Sequence, residues 1–272
     1  MALPSPVINV MSKAARKAAR GLLRDFGEVE HLQVSKKGPA DFVSTADTRT
    51  ERLLREELGQ ARPDFGFLME ESGASAGKDG APRWVVDPLD GTLNFLHGLP
   101  HFAIALAVQD GREITAGVIY DPLKDELFWA ERGRGAYLND RRIRVSARQH
   151  MADSVIATGI PFLGREGHKQ FLATQEAVMR QVAGIRRWGV ASLDLAYVAA
   201  GRFDGFWEFG LQPWDIAAGL ILVREAGGFA TEIDGGDGVL ASGNILATND
   251  ALYRPISRLL QDALKLDLTA AS

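Results

Sequence analysis

The densest chemistry in the chain lies in Trp84-Val85-Val86-Asp87-Pro88-Leu89-Asp90-Gly91-Thr92-Leu93-Asn94-Phe95. Three apolar residues lead into Asp87, as a buried strand would, and Pro88 then breaks the hydrogen-bond ladder. Asp87 and Asp90 stand around this forced turn, so both carboxylates can face one point with the Leu89 carbonyl between them. Two carboxylates and a carbonyl are hard oxygen donors, suited to Mg²⁺, Mn²⁺ or Ca²⁺. Gly91 permits close approach of a ligand to the backbone, and the Gly91 and Thr92 amides could hold an anion if a helix begins there. An Asp-x-x-Asp-Gly string by itself also fits a plain surface turn. Its place at a strand end, ahead of a second apolar run, favours a site.

Two further acidic elements belong with it. Phe67-Leu68-Met69-Glu70-Glu71-Ser72 ends an apolar strand in adjacent carboxylates, and Trp214-Asp215-Ile216-Ala217-Ala218-Gly219 sets an aspartate at the start of an apolar helix. Taken singly, Asp215 also suits a helix N-terminus as a dipole-stabilising charge, and Glu70 also suits a sheet edge. His97 and His101 flank the motif four apart, but Gly98 and Pro100 argue against the regular helix a zinc pair needs. They read as structural or rim residues. Trp188, Trp207 and Trp214 read as core or contact residues rather than stacking platforms.

The elements that must position these groups follow from periodicity. Ser5 can cap a first helix and Pro6 suits its first turn, and Val7, Met11, Ala14, Ala15, Ala18, Leu22 and Phe26 recur at helical spacing. Its bases Lys13, Arg16, Lys17, Arg20 and Arg24 form a solvated face, or a surface for a membrane or partner. A second helix starts near Ser44 or Thr45 and ends at Ala61. Short strands are expected at 66–70 and 83–87, with longer ones at 102–109 and 113–120 joined at Asp110-Gly111. Strands at 127–130 and 136–138 complete a mainly antiparallel set. Beyond Arg144, strands and helices alternate: strands at 154–158, 184–188, 205–208, 228–233 and 245–248, and helices at 167–182, 191–200, 214–225 and 251–266. Gly235 to Gly238 reads as a hairpin loop rather than a phosphate cradle, because no helix is expected after it. The reading is an α+β chain, with an N-terminal part at 1–143 and an α/β part at 144–272.

Composition narrows the chemistry further. Among 272 residues, 46% are hydrophobic and 35 acids face 31 bases, a formal charge of −4. That balance argues against a protein that coats nucleic acid. There is no cysteine, which excludes thiolate metal sites and thiol nucleophiles and fits a reducing cytoplasm. The longest apolar run, Phe102 to Val108, is too short to span a membrane, and no secretory signal is evident.

Together the chain resembles the inositol monophosphatase family of magnesium-dependent phosphatases. The match rests on Glu70-Glu71-Ser72, Asp87 through Phe95 and Trp214 through Gly219, in the family's order and spacing. Lys36 to Asp47 and Arg186 to Glu208 match further segments, so the resemblance spans about residues 10 to 265. It implies a layered α-β-α-β-α sandwich and a homodimer. It implies that Glu70, Asp87, the Leu89 carbonyl, Asp90 and Asp215 hold two Mg²⁺ ions, with a weaker third near Glu70 and Mn²⁺ as a substitute. Glu70 thereby joins Asp47 and Thr92 in the catalytic set, Asp47 and Thr92 as the pair that orients and activates the attacking water. Gly91 and Thr92 hold phosphate, and Asp90, Gly189, Ala191, Glu208 and Asp215 meet the substrate's hydroxyls. Lithium inhibition also follows from the resemblance.

The physics of those roles is consistent. Two cations neutralise phosphoryl oxygens and lower the pKa of water, which leaves positioning and charge stabilisation for the protein. No covalent nucleophile is needed. Three positions depart from the common pattern: Met69 stands for a glycine, Leu93 for a threonine and Val190 for a small hydroxyl residue. Val190 puts one substrate hydrogen bond in question. Leu93-Asn94-Phe95 and Glu208 favour an inositol phosphate, with fructose 1,6-bisphosphate, histidinol phosphate and NADP as alternatives. A different class of reading is a binding role with RNA or the transcription machinery, through the basic first helix and Arg141, Arg142 and Arg144.

Overall fold

Ser5 accepts a hydrogen bond from the Ile8 amide and Pro6 occupies the first turn, so the first helix, α1 (Pro6–Phe26), starts where its cap dictates. The computed structural model describes residues 3–28, 34–38 and 41–270, with side chains at 3–28 and 44–265. A two-stranded ribbon, β1 (Val34–Gly38) and β2 (Asp41–Ser44), leads into α2 (Thr45–Ala61). The resemblance at Lys36 to Asp47 therefore falls partly outside the described residues.

The first large sheet takes β3 (Gly66–Met69), β4 (Gly73–Ser75) and β5 (Arg83–Asp90). After a short helix, α3 (Thr92–Leu96), it continues with β6 (Ala103–Asp110), β7 (Glu113–Asp121), β8 (Glu126–Glu131), β9 (Gly135–Leu138) and β10 (Arg141–Ile143). Their order is β10-β9-β8-β7-β6-β5-β3-β4. Every neighbouring pair is antiparallel except β3 with β5, whose connection crosses over. The expected break at Pro88 is corrected: β5 runs on to Asp90. Between Asp87 and Asp90 its register against β6 slips by one residue, since Asp87 pairs with Ala105 and Asp90 with Ala103. Pro88, which has no N–H to donate, is accommodated in this bulge instead of ending the strand.

The second sheet follows a 3₁₀ turn at Met151–Asp153. Its elements in chain order are β11 (Val155–Thr158), α4 (His168–Met179), β12 (Gly184–Arg186), α5 (Ala191–Ala199), β13 (Gly205–Glu208), α6 (Pro213–Glu225), β14 (Phe229–Thr231), α7 (Val239–Ser242), β15 (Ile245–Thr248) and α8 (Asp250–Ala270). The strand order is β12-β11-β13-β15-β14, parallel at β12-β11-β13 and antiparallel beyond. The reason given for a hairpin at Gly235 to Gly238 fails, because the single turn α7 follows it directly.

Three apolar cores define five layers. Ile8, Met11, Leu22, Leu54 and Leu58 of α1 and α2 meet Trp84, Val86, Ile104 and Leu106 on one face of the first sheet. The opposite face, with Val85, Ala105 and Ile119, meets Leu193, Leu195, Ile216 and Leu220 of α5 and α6. The same core takes Phe206 and Ala247 from the second sheet. Val178 of α4 and Leu252, Ile256 and Leu260 of α8 cover that sheet's far face through Ile156, Trp207 and Leu246. The α-β-α-β-α sandwich expected from the resemblance is the architecture observed, and its central helix layer is shared by both sheets. Among the described residues no helix is long and apolar enough to cross a membrane.

Candidate active site

The site forms where the end of β5 meets the starts of four helices, α2, α3, α5 and α6. In an unbulged strand, residues three apart point to opposite faces. The extra residue at the Pro88 bulge changes that parity, so Asp87 and Asp90 face the same side. Asp87 is 2% exposed, and its Oδ1 accepts from the Leu89 amide at 2.9 Å, which folds the bulge around it. Asp90 Oδ2 accepts from the Ser192 amide in the first turn of α5 at 2.7 Å.

Gly91 follows with φ +94° and caps α3. A Cβ there would lie 2.7 Å from Val190 Cγ2 and 3.2 Å from the His101 carbonyl, so only glycine fits. Thr92 opens α3, and its Oγ1 lies 2.9 Å from Asp47 Oδ1 and 3.0 Å from the Leu89 carbonyl oxygen. One hydroxyl proton can serve only one of them at a time. Asp47 is the third helical residue of α2. Its Oδ2 accepts from the Ser44 amide and hydroxyl, completing a capping box. Asp47 therefore both caps a helix and orients Thr92. Burial raises its pKa, and its bonds to Ser44 and Thr92 oppose that rise.

Glu70 sits directly after β3, and its amide donates to the Val86 carbonyl of β5. Asp215 caps α6 through the Gln212 amide at 2.8 Å. Burial first, and then the charges of Glu70, Asp90 and Asp215, hold the Asp87 carboxyl well above the usual carboxylate range. Asp215 is raised in the same way, by burial and then by Asp90, Glu70 and Glu208. Asp90 is pushed up to about 6 by burial, against the opposing bonds to Ser192. No lysine or arginine forms an ion pair with Asp87, Asp90 or Asp215 among the described residues.

Glu208 ends β13, and a Cβ on Gly159 would fall 1.9 Å from its carboxylate carbon, so that carboxylate packs on bare backbone. Burial and the Asp90 charge push Glu208 up to about 7, with Arg187 and Arg165 opposing. Gly189, at φ +74°, turns the chain into α5, which Ala191 opens. Asn94 ties the two sides together by donating to the His101 and Trp188 carbonyls, both at 2.9 Å.

Some residues fall elsewhere than expected. Val190 is fully buried with its side chain against Gly91, so a hydroxyl at this position would face the Gly91 backbone. Trp188 is 41% exposed rather than core. It lines a cavity of about 460 Å³ with Asn94, Leu99, Pro100, His101, Lys124 and Arg187. His97 and His101 lie beyond the end of α3. Burial, and then Lys124, lowers His101 to about 4, so it is a neutral rim group. Ser192 and Gln212, which fix Asp90 and Asp215 in place, were not singled out from the sequence, and Ser44, which fixes Asp47, was named only as a helix start. Ser44 carried a readable signal: a serine three residues before an aspartate at a helix start.

Could this set hold a cation? Among the described residues no three His, Asp or Glu side chains close into a ready cage. The donor set is an open one, with carboxylates carried by β5, α6 and the end of β3, plus the Leu89 carbonyl beside Thr92. Its chemistry fits a hard divalent ion: every donor is oxygen, and among the described residues no ion pair with a basic side chain offsets the repulsion among Asp87, Asp90 and Asp215. A cation would reverse that repulsion.

Comparison with known proteins agrees with the motifs. The profile of the inositol monophosphatase family matches residues 3–265. An inositol-1-monophosphatase of Rhizobium meliloti (strain 1021) is 57% identical over 257 residues, covering 94% of this chain and 97% of its own length. The Nus factor SuhB of Escherichia coli (strain K12) is 40% identical over 259 residues, covering 95% and 97%. The crystal structure of extragenic suppressor protein suhB from Bartonella henselae superposes with a TM-score of 0.92 at 57% identity, covering 94% of this chain and 98% of that one.

Proposed function

Since the chain belongs to the inositol monophosphatase family, we propose that it hydrolyses a phosphate monoester, with myo-inositol 1-phosphate as its substrate and Mg²⁺ as its cofactor. The observation that supports this most is the mutually repelling set of the buried Asp87 and the half-buried Asp90 and Asp215 beside the hydrogen-bonded Asp47–Thr92 pair. Glu70, Asp87, the Leu89 carbonyl, Asp90 and Asp215 would hold two Mg²⁺ ions, with a third near Glu70. When bound, these ions supply charge neutralisation of the phosphoryl oxygens and acidify water at neutral pH.

The chain's own residues do the rest. Asp47 accepts a proton through the Thr92 hydroxyl, which aligns the attacking water. The start of α3, freed of side-chain bulk at Gly91, takes the phosphate on its amides. Gly189, Ala191, Glu208, Asp90 and Asp215 meet the hydroxyls of the departing alcohol. Glu208 is the acceptor best suited to a ring hydroxyl, as it is anchored on Gly159 rather than paired to a cation. We further infer a homodimer in a reducing cytoplasm, the latter supported by the lack of cysteine.

The test is phosphate release with Mg²⁺ from inositol 1-phosphate, fructose 1,6-bisphosphate, histidinol phosphate, NADP and 3′-phosphoadenosine 5′-phosphate, with Asp87→Asn as control. Release confined to inositol 1-phosphate and lost in the control is the expected result. Release that the control retains would overturn the site assignment.

The 40% identity to the Nus factor SuhB of Escherichia coli favours a second reading, a binding role with the transcription machinery. The basic face of α1 would be one surface for it, yet Arg16 pairs with Asp125 and Lys17 with Glu57. The binding reading predicts that Asp87→Asn still retains RNA or polymerase at low salt. No retention by either form would remove it.

A further inference from the structure

The β10 edge of the first sheet carries basic charge that the function above does not use. Arg142 in β10 and Arg144 just past it form no ion pair and donate no hydrogen bond among the described residues, whereas Arg132, Arg134 and Arg148, on either side in the chain, each pair with an acid. Residues two apart in extended chain point the same way. Both side chains line one cavity of about 350 Å³, together with Val145, Glu225, Ala226 and Gly227. Arg141, offset by one residue, lies outside it.

The cavity sits at the C-terminal end of α6, where helix carbonyls are natural partners for arginine. Those carbonyls are already taken. Leu222, Val223 and Arg224 accept from the amides of Ala226, Gly228 and Gly227, and the Ala226 carbonyl accepts from the Val145 amide at 3.2 Å. The Glu225 carboxylate is engaged as well: its two oxygens accept from the Gly133 amide at 2.8 Å and the Gly135 amide at 2.7 Å. Gly135 also receives Arg142. A Cβ at Gly135 would lie 3.0 Å from Arg142 Nε and Nη2, so the guanidinium rests on bare backbone at the cavity wall.

Two guanidinium groups therefore share this cavity with one carboxylate whose hydrogen bonds go to amides. Guanidinium forks match the paired oxygens of a phosphoryl group. The volume is that of a small-molecule site, and the alternation of the strand turns Arg141 to its other face, which interrupts a continuous basic track for a polymer. We propose that Arg142 and Arg144 form a second anion-binding site, for a phosphate-bearing small molecule. It is separate from the candidate active site, because Asp215 and Glu225 stand at opposite ends of α6, about 15 Å apart at the rise of a helix. It holds whether or not the chain is a phosphatase.

The test titrates pyrophosphate by calorimetry into the full chain, dialysed free of divalent cations so that the aspartates of the active site repel the probe. One saturable site is expected, with Kd below about 1 mM, within reach of two charge-assisted contacts. Arg142→Gln and Arg144→Gln should each weaken binding about tenfold, the scale of one charge-assisted hydrogen bond. Arg258→Gln, on the exposed side of α8, should leave it unchanged. Both arginines are exposed, so the melting curves of their variants should match that of the unaltered chain. No saturable binding at ten times that concentration, binding that survives both substitutions, or an equal loss in Arg258→Gln would overturn the proposal. So would a single-stranded RNA that binds with the same arginine dependence where pyrophosphate does not, in favour of a nucleic-acid surface.

Discussion

Asp87 lies as deep in this protein as Asp121 and Asp204 but meets different neighbours. Asp121 is 0% exposed and Asp204 1%. Asp121 accepts from the Leu123 and Lys124 amides and from Lys124 Nζ at 2.6 Å. Asp204 accepts from the Val155 amide at 2.8 Å and Arg148 at 3.1 Å. Each of these acids holds a loop or strand end in place, and its charge is answered within the chain. Asp87 is equally buried, but its charged neighbours are Glu70, Asp90 and Asp215. Burial alone therefore does not single out a candidate cation-binding acid. The sign of the surrounding charge does, because a fold gains nothing by massing like charges unless something else will neutralise them.

The sharpest test exchanges the two kinds of residue. Asp87→Asn should lower phosphate release on the order of a thousandfold, the scale of losing a cation-binding charge, while the melting temperature without added metal holds or rises. Asp204→Ala should do the reverse. Stranding the Val155 amide costs about 1–3 kcal/mol of stability, and activity per folded molecule stays near normal. Loss of stability in the first variant, or loss of turnover without destabilisation in the second, would break the comparison.

Thr92→Ala comes next, at about a hundredfold in kcat if Thr92 relays a proton, with KM little affected. An unchanged kcat would leave the Asp47–Thr92 bond a helix-start contact only.

The melting temperature extends the contrast to pH. Asp90 and Glu208 are raised to about 6 and about 7 in the folded chain, so folding favours their protonated forms. Their favourable contribution is full below about pH 4, the unfolded carboxylate range, and is lost as pH rises through 6 and 7. Without divalent cation the protein should melt at lower temperature at pH 8 than at pH 5. Added Mg²⁺ should recover more of the loss at pH 8, where the carboxylates are ionised. A Mg²⁺ effect equal at both values would separate cation binding from these groups.

The smallest effect is expected at Val190→Thr. Its side chain faces Gly91, so turnover should change less than about twofold, while burying a hydroxyl costs stability on the order of 1 kcal/mol. A large gain in affinity for inositol 1-phosphate would return this position to the substrate surface.

Much of this arrangement was readable in the residues, and what was not has a physical reason. Helices α1 and α2 announce themselves through Ser5-Pro6 and Ser44 ahead of Asp47, because caps are local chemistry. The acids at Glu70, Asp87, Asp90 and Asp215 were found through motif and spacing. The parity change at Pro88 was not, since a bulge is defined by the partner strand and β6 enters only through tertiary pairing. β4, β10 and α7, of three or four residues each, are too short to carry a period. Asp194 looks in sequence like an ordinary acid in a helix's first turn, and only packing reveals that it faces inward. Trp188 looks like core by composition, and its exposure follows from its place on a loop between β12 and α5.

The shared middle layer of helices has a consequence for how the protein is made. One face of the first sheet is covered by α1 and α2, which precede it in the chain, and the other by α5 and α6, which follow from residue 191 onward. On the ribosome, Val85, Ala105 and Ile119 are therefore synthesised well before Leu193, Ile216 and Leu220 arrive to cover them. A nascent chain ending near residue 150 carries an uncovered apolar sheet face, the kind of surface that chaperones bind and that aggregates when they do not.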